Sequence, residues 1–358
     1  MDFGPFKSRN FINEQKVFTG QNKCLRTLRV IKHTVRMIIV TGANGFIGSA
    51  MVWQLNQAGI TDITCVDSVS LEKRNLLKKV QYTQFFEAGE LWSYLMSDEA
   101  KKKVTWVIHM GACSSTTETD WSFLYSNNFQ YTQRLFEWCT QHRKSIIYAS
   151  SAATYGAGEN GFNDNFDPEK LKPLNLYGES KVIMDRWALK QNMTPENWYG
   201  VKFFNVFGPN EYEKGSMASV AFKSFHQITS TSELGLFKSY NPQFADGEQL
   251  RDFIYVKDVT RWMKELMDKK PESGIYNMGF GKARSWLDMA KALFASMQKP
   301  LNVKWLEMPD NIKGQYQYFT EADMTKWQKA GLSEPQWPLE KAINDYVVNY
   351  LSQQDPWL

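Results

Sequence analysis

Tyr177 and Lys181 stand four residues apart, a spacing that puts both side chains on one face of a helix. Far upstream lies a glycine-rich turn, Thr41-Gly-Ala-Asn-Gly-Phe-Ile-Gly48, directly after the apolar run Met37-Ile-Ile-Val40. Gly42, Gly45 and Gly48 are the residues such a turn needs if a dinucleotide pyrophosphate is to approach the backbone and rest on a helix N-terminus. Asp67, 19 residues past Gly48, suits a carboxylate that grips an adenosine ribose. A tyrosine hydroxyl titrates near ~10, too high for a base at neutral pH. Lys181, one helical turn away, and the positive charge of an oxidised nicotinamide would favour the phenolate and lower that value. Tyr177 would then take a proton from a substrate hydroxyl while hydride leaves the same carbon, and Lys181 would also hydrogen-bond the nicotinamide ribose. A glycine turn alone, or a Tyr-x-x-x-Lys pair alone, is weak evidence. Together they indicate a dinucleotide-dependent redox enzyme.

The elements that must hold these residues follow from hydrophobic pattern. Met37–Val40, Ile63–Val66, Lys103–Met110, Lys144–Ala149 and Val201–Phe207 read as buried strands. Helical patterns run from Ser49 to Ala58, over Asn127 to Gln141, and from Tyr177 to about Lys190, and the basic stretch Leu71–Lys79 reads as a further helix. Strands that alternate with helices predict an α/β fold, a doubly wound parallel (Rossmann) sheet with a smaller C-terminal substrate-binding lobe. We expect a dinucleotide-binding domain over 37–207, completed by about 250–290, where Arg251–Asp258 and Gly274–Gly279 return to the sheet. Residues 208–249 and 291–358 are expected to form the substrate lobe. Ser151 ends the strand before the Tyr177 helix. There it can hold the reacting oxygen, although a serine in that place also caps turns.

Composition removes several function classes. Cys24, Cys65, Cys113 and Cys139 are scattered, as are the four histidines, so no metal site is expected, and reduced thiols in a cytoplasmic protein are the plain reading. No apolar run reaches the roughly 20 residues of a membrane span. Of the 42 Lys and Arg, eight fall in residues 1–36 against two acidic residues, which leaves 34 basic and 36 acidic residues in the remainder. The basic pI therefore belongs to this arm, and nucleic acid is not an expected partner. We expect residues 1–36 to be a disordered basic extension or the product of a misplaced start, with folding from Met37.

Five blocks carry a resemblance: Met37–Gly42, Gly111-Ala-Cys-Ser-Ser-Thr-Thr-Glu118, Tyr148-Ala-Ser-Ser-Ala-Ala-Thr-Tyr-Gly156, Lys214-Gly-Ser-Met-Ala-Ser-Val-Ala-Phe222 and Arg251-Asp-Phe-Ile-Tyr-Val256. Over about residues 37–350 the chain resembles the extended short-chain dehydrogenase/reductases. Within them it is similar to the nucleotide-sugar epimerases that act on ADP-heptose for the lipopolysaccharide inner core. The resemblance implies inversion at C6″ of the heptose through a transient ketone, with a tightly bound NADP, NAD being possible. Inversion on two faces asks for two proton-transfer groups. Tyr177 matches one and Lys214 the second; read without the family, Lys214 would be a solvated loop lysine.

By the same resemblance Phe46, Ile47, Asp67, Ser68, Gly111, Ala112, Cys113, Ser114, Asn127, Lys181 and Val206 would contact cofactor. Asn205, Ser216, Phe237, Arg251 and Tyr316 would contact the ADP-sugar, with Arg251 as a bidentate diphosphate ligand or, in the plainer reading, an ion pair with Asp252 or Asp258. Lys223 stands where the family carries a substrate-side histidine. Met110 stands where an acidic residue is common. Lys73 and Arg74 are candidates for a 2′-phosphate, although Asp67 by its charge favours NAD. A homo-oligomer is expected. Competing readings are a UDP-sugar 4-epimerase, a 4,6-dehydratase and a non-catalytic NAD(P)-binding sensor. Ala152-Ala-Thr154 lacks the carboxylate a dehydratase needs, and a sensor would be expected to lose the Tyr-x-x-x-Lys pair.

Overall fold

Continuous apolar runs become strands only where both faces of a sheet are covered, and this chain builds such a sheet first. The computed structural model describes residues 37–313 and 316–358; the expected basic extension, residues 1–36, lies outside the described residues. The strands are β1 (Met37–Thr41), β2 (Ile63–Asp67), β3 (Gln84–Glu87), β4 (Val104–His109), β5 (Ser145–Ser151), β6 (Trp198–Phe203), β7 (Asn205–Phe207), β8 (Leu234–Phe237), β9 (Leu250–Arg251), β10 (Phe253–Tyr255), β11 (Gly274–Met278), β12 (Arg284–Ser285) and β13 (Val303–Leu306). Seven of them form one parallel sheet in the order β11-β6-β5-β4-β1-β2-β3. Ile38 and Val40 pack into one core with Val52, Leu55, Trp262 and Met263, while Met37 and Ile39 pack into the other with Leu135, Phe136 and Trp198. This is the period-two alternation of a strand covered on both faces. The strand order reverses between β1 and β4, whose ends Thr41 and His109 are in register, so a crevice opens at the carboxyl ends of these two strands.

A third core gathers Phe207, Phe225, Leu236, Phe253, Tyr255, Leu293, Ile343 and Tyr346. Around it lie three two-stranded pairs, β7–β10 and β8–β13 parallel and β9–β12 antiparallel. Three local expectations change, and one strand falls outside them. Val201–Phe207 is two strands rather than one, because Phe204 N–H donates to Met278 O (3.2 Å) and Asn205 N–H to Asp252 O (3.1 Å), so the chain changes partners at that point. Gly274–Met278 does return to the large sheet, but Phe253–Tyr255 pairs with β7 instead. Leu71–Lys79 is a series of turns, not a helix. Asn44 accepts from Leu76 N–H (2.9 Å) and donates to Val69 O (3.1 Å) and Arg74 O, and these bonds, with the burial of Leu76 and Leu77, override helix propensity. Strand β3, only four residues long and partly exposed at the sheet edge, has too little pattern to be read.

The helix Leu176–Leu189 is pinned to β5 and β6 by a fully buried carboxylate. Asp185 accepts from Lys202 Nζ (2.6 Å), Ser150 Oγ (2.7 Å) and Tyr148 OH (3.1 Å). Asp185→Asn leaves the Lys202 charge buried without its counterion, and urea unfolding should show a loss of about 3–5 kcal/mol. A loss below about 1 kcal/mol would show that the pair is not the anchor.

Candidate active site

The crevice is floored by two turns in unusually close approach. Gly42 has φ +64°, and a Cβ there would lie 2.5 Å from Gly111 N; a Cβ on Gly48 would lie 1.9 Å from Gly42 O. Only glycine fits at either position. The helix Phe46–Gln57 starts at Gly45 with no side-chain cap and no acidic residue in its first turn, so its N-terminal N–H groups face the cleft with nothing anionic against them. That is an anion cradle, and it fits a dinucleotide pyrophosphate. Asp67 ends β2 in the same cleft, fixed by Asn44 N–H (2.9 Å) and Val69 N–H (3.0 Å). The guanidinium of Arg74 stands 3.7 Å from it.

Beyond β4 the loop from Gly111 is held from behind. Gly111 N–H donates to Thr41 Oγ1 (3.3 Å), and Thr132 Oγ1 donates to Asn128 O (2.6 Å). With the Thr132 hydroxyl committed to Asn128 O, His109 Nε2–H donates to Thr132 (2.9 Å), and in the neutral ring Nδ1 accepts from Thr41 Oγ1 (2.6 Å). Burial, with Lys181 nearby, pushes His109 down to about 3. Asn128 lies in a π-helical turn, Tyr125–Gln130. It grips Cys113 at both N–H (2.9 Å) and C=O (3.0 Å), reaches Ser180 on the Tyr177 helix (3.0 Å), and leaves its neighbour Asn127 to line the cleft.

Ser151, Tyr177 and Lys181 line the facing wall. Asn175 caps the helix by accepting from Gly178 N–H (2.8 Å), and so sets the turn that carries Tyr177. Lys181 Nζ lies 6.0 Å from the Tyr177 ring centre. Among the chain's own groups, Lys181 is not one of the main influences on the Tyr177 phenol. Burial raises Tyr177 above its ordinary value, and the opposing influence is the hydrogen bond with Ser151. Burial pulls Lys181 down to about 8, against the raising influence of Asp185.

Lys214 enters the cleft from the loop after β7, its Nζ 5.2 Å from the Phe46 ring centre, and burial lowers its pKa while Glu211 works against that. Arg251 lies between Trp286 (5.6 Å) and Tyr316 (5.3 Å), whose polar atoms bond to each other at 2.9 Å. Asp252 instead accepts from the N–H groups of Phe280, Gly281 and Ala322, and Asp258 pairs with Arg261, so the ion-pair reading of Arg251 fails and its guanidinium is presented to the cleft.

The cleft, about 1330 Å³, exceeds what one small ligand fills and has room for two. It brings together Tyr177, Lys181, Ser151, Lys214, the three glycines, Phe46, Ile47, Asp67, Ser68, Gly111–Ser114, Asn127, Asn205, Val206, Arg251 and Tyr316. Four expected residues are not in its lining. Lys73 is exposed, and its neighbour Arg74 takes the place facing Asp67. Ser216 and Lys223 are exposed and bond to each other, the ammonium to the carbonyl. Phe237 closes β8 outside the cleft, paired with β13. Trp286, Asn175 and Gln317 line the cleft without any motif that could have marked them.

A doubly wound sheet whose switch point opens onto a glycine cradle, faced by Ser151, Tyr177 and Lys181, defines a nicotinamide-dinucleotide enzyme of the extended short-chain reductase type. Residues 38–279 match the model of the NAD dependent epimerase/dehydratase family. An ADP-L-glycero-D-manno-heptose-6-epimerase of Fusobacterium nucleatum is 48% identical over 332 residues, 90% of this chain and 100% of that protein. A protein of the same name from Nitratidesulfovibrio vulgaris is 43% identical over 325 residues, again 90% and 100%. The solved Helicobacter pylori ADP-L-glycero-D-manno-heptose-6-epimerase superposes with a TM-score of 0.73 at 25% identity, over 88% of this chain and 96% of that one. The chain belongs to the NAD dependent epimerase/dehydratase family.

The His109 relay makes a pH prediction. Its folded pKa lies below the unfolded value of about 6.5, so as pH falls from 6.5 toward 3 the unfolded chain takes up a proton that the folded chain refuses, and stability is lost. Relative to His109→Gln, the native chain should lose up to about 1.4 kcal/mol more per pH unit in urea unfolding over that window. Parallel stability curves would show that His109 is not held neutral.

Proposed function

We propose that the chain inverts C6″ of ADP-D-glycero-D-manno-heptose to give the L-glycero epimer, through a transient ketone and with a retained nicotinamide dinucleotide. One observation carries the reading: Tyr177 and Lys214, from different elements, line the same cleft as the glycine cradle and Arg251. When bound, the nicotinamide supplies reversible hydride acceptance. The chain's own residues do the rest. The cradle at Gly42–Gly48 and Asp67 would hold the pyrophosphate and adenosine ribose, with Lys181 at the nicotinamide ribose. Arg251, flattened between Trp286 and Tyr316, would grip the diphosphate of the sugar nucleotide. Ser151 would orient the reacting oxygen while one of Tyr177 and Lys214 removes its proton and, once the ketone has turned, the other returns one.

Among the described residues that line the cleft, Asp67 is the sole carboxylate, and it sits at the cofactor end. That disfavours dehydration, which needs a carboxylate beside the tyrosine. Arg74 beside Asp67 offsets the charge that would repel a 2′-phosphate and supports NADP over NAD. The division into a dinucleotide domain and a substrate lobe (208–249 and 291–358) is the frame for this reading. A homo-oligomer is supported by exposed Trp121, Tyr125 and Leu176 on helices in mutual contact, and a cytoplasmic site by the free Cys65, Cys113 and Cys139. Among the described residues no helix is long and apolar enough to cross a membrane.

Proton NMR of purified protein with ADP-D-glycero-D-manno-heptose and no added cofactor should show the 6-epimer, and its absence would overturn the reading. Tyr177→Phe and Lys214→Met should each cost about 10²–10⁴-fold in kcat while cofactor stays bound. Normal turnover by the double variant would sink the assignment of two proton-transfer groups. Arg74→Ala should shift the dinucleotide released on denaturation from NADP toward NAD; an unchanged NADP content would remove Arg74 from that role.

A further inference from the structure

Lys214 sits on a loop, Gly208–Ser219, whose placement is set from two sides. From within the second lobe, the buried Glu211 carboxylate accepts from Gly208 N–H (3.1 Å), Ser219 N–H (2.6 Å), Ser219 Oγ (2.8 Å) and Tyr346 OH (3.1 Å). Toward the glycine cradle the contact is Asn210, buried and with φ +77°, a conformation that persists where the surroundings impose it. Its Nδ2 donates to Ser49 Oγ (3.0 Å), which donates to Phe46 O (3.1 Å). Its Oδ1 accepts from the backbone N–H of Leu358 (3.0 Å), 148 residues further on. The Leu358 side chain is buried in a cluster with Phe46, Ala50 and Val256.

The residues just before Leu358 make the same connection. Tyr212 OH donates to Pro356 O (2.6 Å), and Trp357 packs edge-on against Tyr212 at 4.8 Å. Lys79 donates to Trp357 O (2.9 Å) and pairs with Asp355 (2.8 Å). Phe46, with Leu358 among its packing partners, is the ring on which the Lys214 ammonium rests.

We infer that Asp355–Leu358 is a positioning strap for Lys214: Leu358 and Asn210 together hold the Lys214 loop against the first turn of the dinucleotide helix, and so fix the ammonium over Phe46. This rests on the reading of Lys214 as the second proton-transfer group. A lysine has a flexible four-carbon stem and carries about 2 kcal/mol of rotamer entropy, so a mobile loop would spread it over many positions. Catalysis needs it in one, and a displacement of about 1 Å can cost about 10²-fold in rate. Neither Leu358 nor Asn210 lines the cleft, so both act through Lys214 and Phe46 rather than on substrate.

The test compares Leu358→Ala, Leu358→Met and Asn210→Ala in the full chain. Three quantities are measured: thermal midpoint, kcat and KM for the epimerisation, and acylation of Lys214 by a small amine reagent from pH 7 to 11, read by peptide mass spectrometry. Leu358→Ala and Asn210→Ala should lower kcat about 10- to 100-fold with KM within about twofold, and Leu358→Met should restore most of it. In the intact chain burial lowers the Lys214 pKa, with Glu211 raising it and Lys223 lowering it further. In the variants its labelling midpoint should therefore rise toward the ordinary lysine value. At pH 11, where the amine is mostly neutral in either state, labelling should be faster. A lowered thermal midpoint with unchanged kcat and unchanged labelling would make the strap a structural staple and overturn the inference. Should Leu358→Ala fail to fold, Asn210→Ala, which keeps the apolar cluster, decides by the same readings. Normal turnover by Lys214→Met alongside shifted labelling in Leu358→Ala would defeat the acid/base reading and leave the strap standing.

Discussion

One buried carboxylate sets the distance on which the site depends. Asp185 follows Lys181 by one helical turn and takes its partners from the two neighbouring strands, Ser150 and Tyr148 on β5 and Lys202 on β6. Because Ser150 precedes Ser151, the group that locks the helix to the sheet also fixes Ser151 relative to Tyr177 and Lys181 on their shared wall. A buried pair of this kind is weak evidence for net stability, since apolar replacements of the same volume often do as well. Its contribution is placement and charge. Burial alone would carry Lys181 further from its ordinary value, and Asp185 opposes that shift and keeps the ammonium available near neutrality.

The opposite wall obeys a steric constraint instead. Gly42 and Gly111 come so near each other that no side chain could stand between them, and the cradle exists because two turns at the ends of β1 and β4 share that space. Such an approach needs both turns held rigid from behind. The neutral His109 relay does this for the base of the Gly111 turn, and Asn128 does it for Cys113 two residues on. Neither side chain lines the cleft. Their work is to present backbone groups without themselves being exposed to protons or ligand.

What could be read in the sequence divides along the same line. The cradle, Asp67, Ser151 and the Tyr177–Lys181 pair declare themselves because each is a local pattern, a turn or one helical repeat in which neighbours in sequence are neighbours in space. The substrate side is made by residues brought in from separate elements, and there the resemblance and the cleft lining do not coincide. Ser216, Lys223 and Phe237 fall outside the cleft, while Trp286 and Gln317 enter it unannounced. Lys73 and Arg74 show the limit sharply. Both lie in a stretch with helical propensity, but Asn44 ties that stretch into turns, and the turn rather than the charge decides which of the two faces Asp67. The meeting of Asn210 with Leu358 is beyond any local pattern, since nothing in either segment marks the other.

The protonation states of Tyr177 and Lys214 complete the physical picture. An epimerisation through a ketone removes a proton from an oxygen and returns one to the same oxygen after the carbon has turned, so one group must begin as base and the other as acid. Two identical environments would leave both groups in the same state and stall one half of the reaction. Here burial acts on groups of opposite charge type. It raises the phenol, whose charged form is the deprotonated one, and lowers the lysine, whose charged form is the protonated one. On the proposed reading, the same burial would favour Tyr177 as the proton donor and Lys214 as the acceptor. On this account a single property, burial of both groups along one cleft, would prepare the acid and the base together. The reaction in the reverse direction starts from the swapped pair.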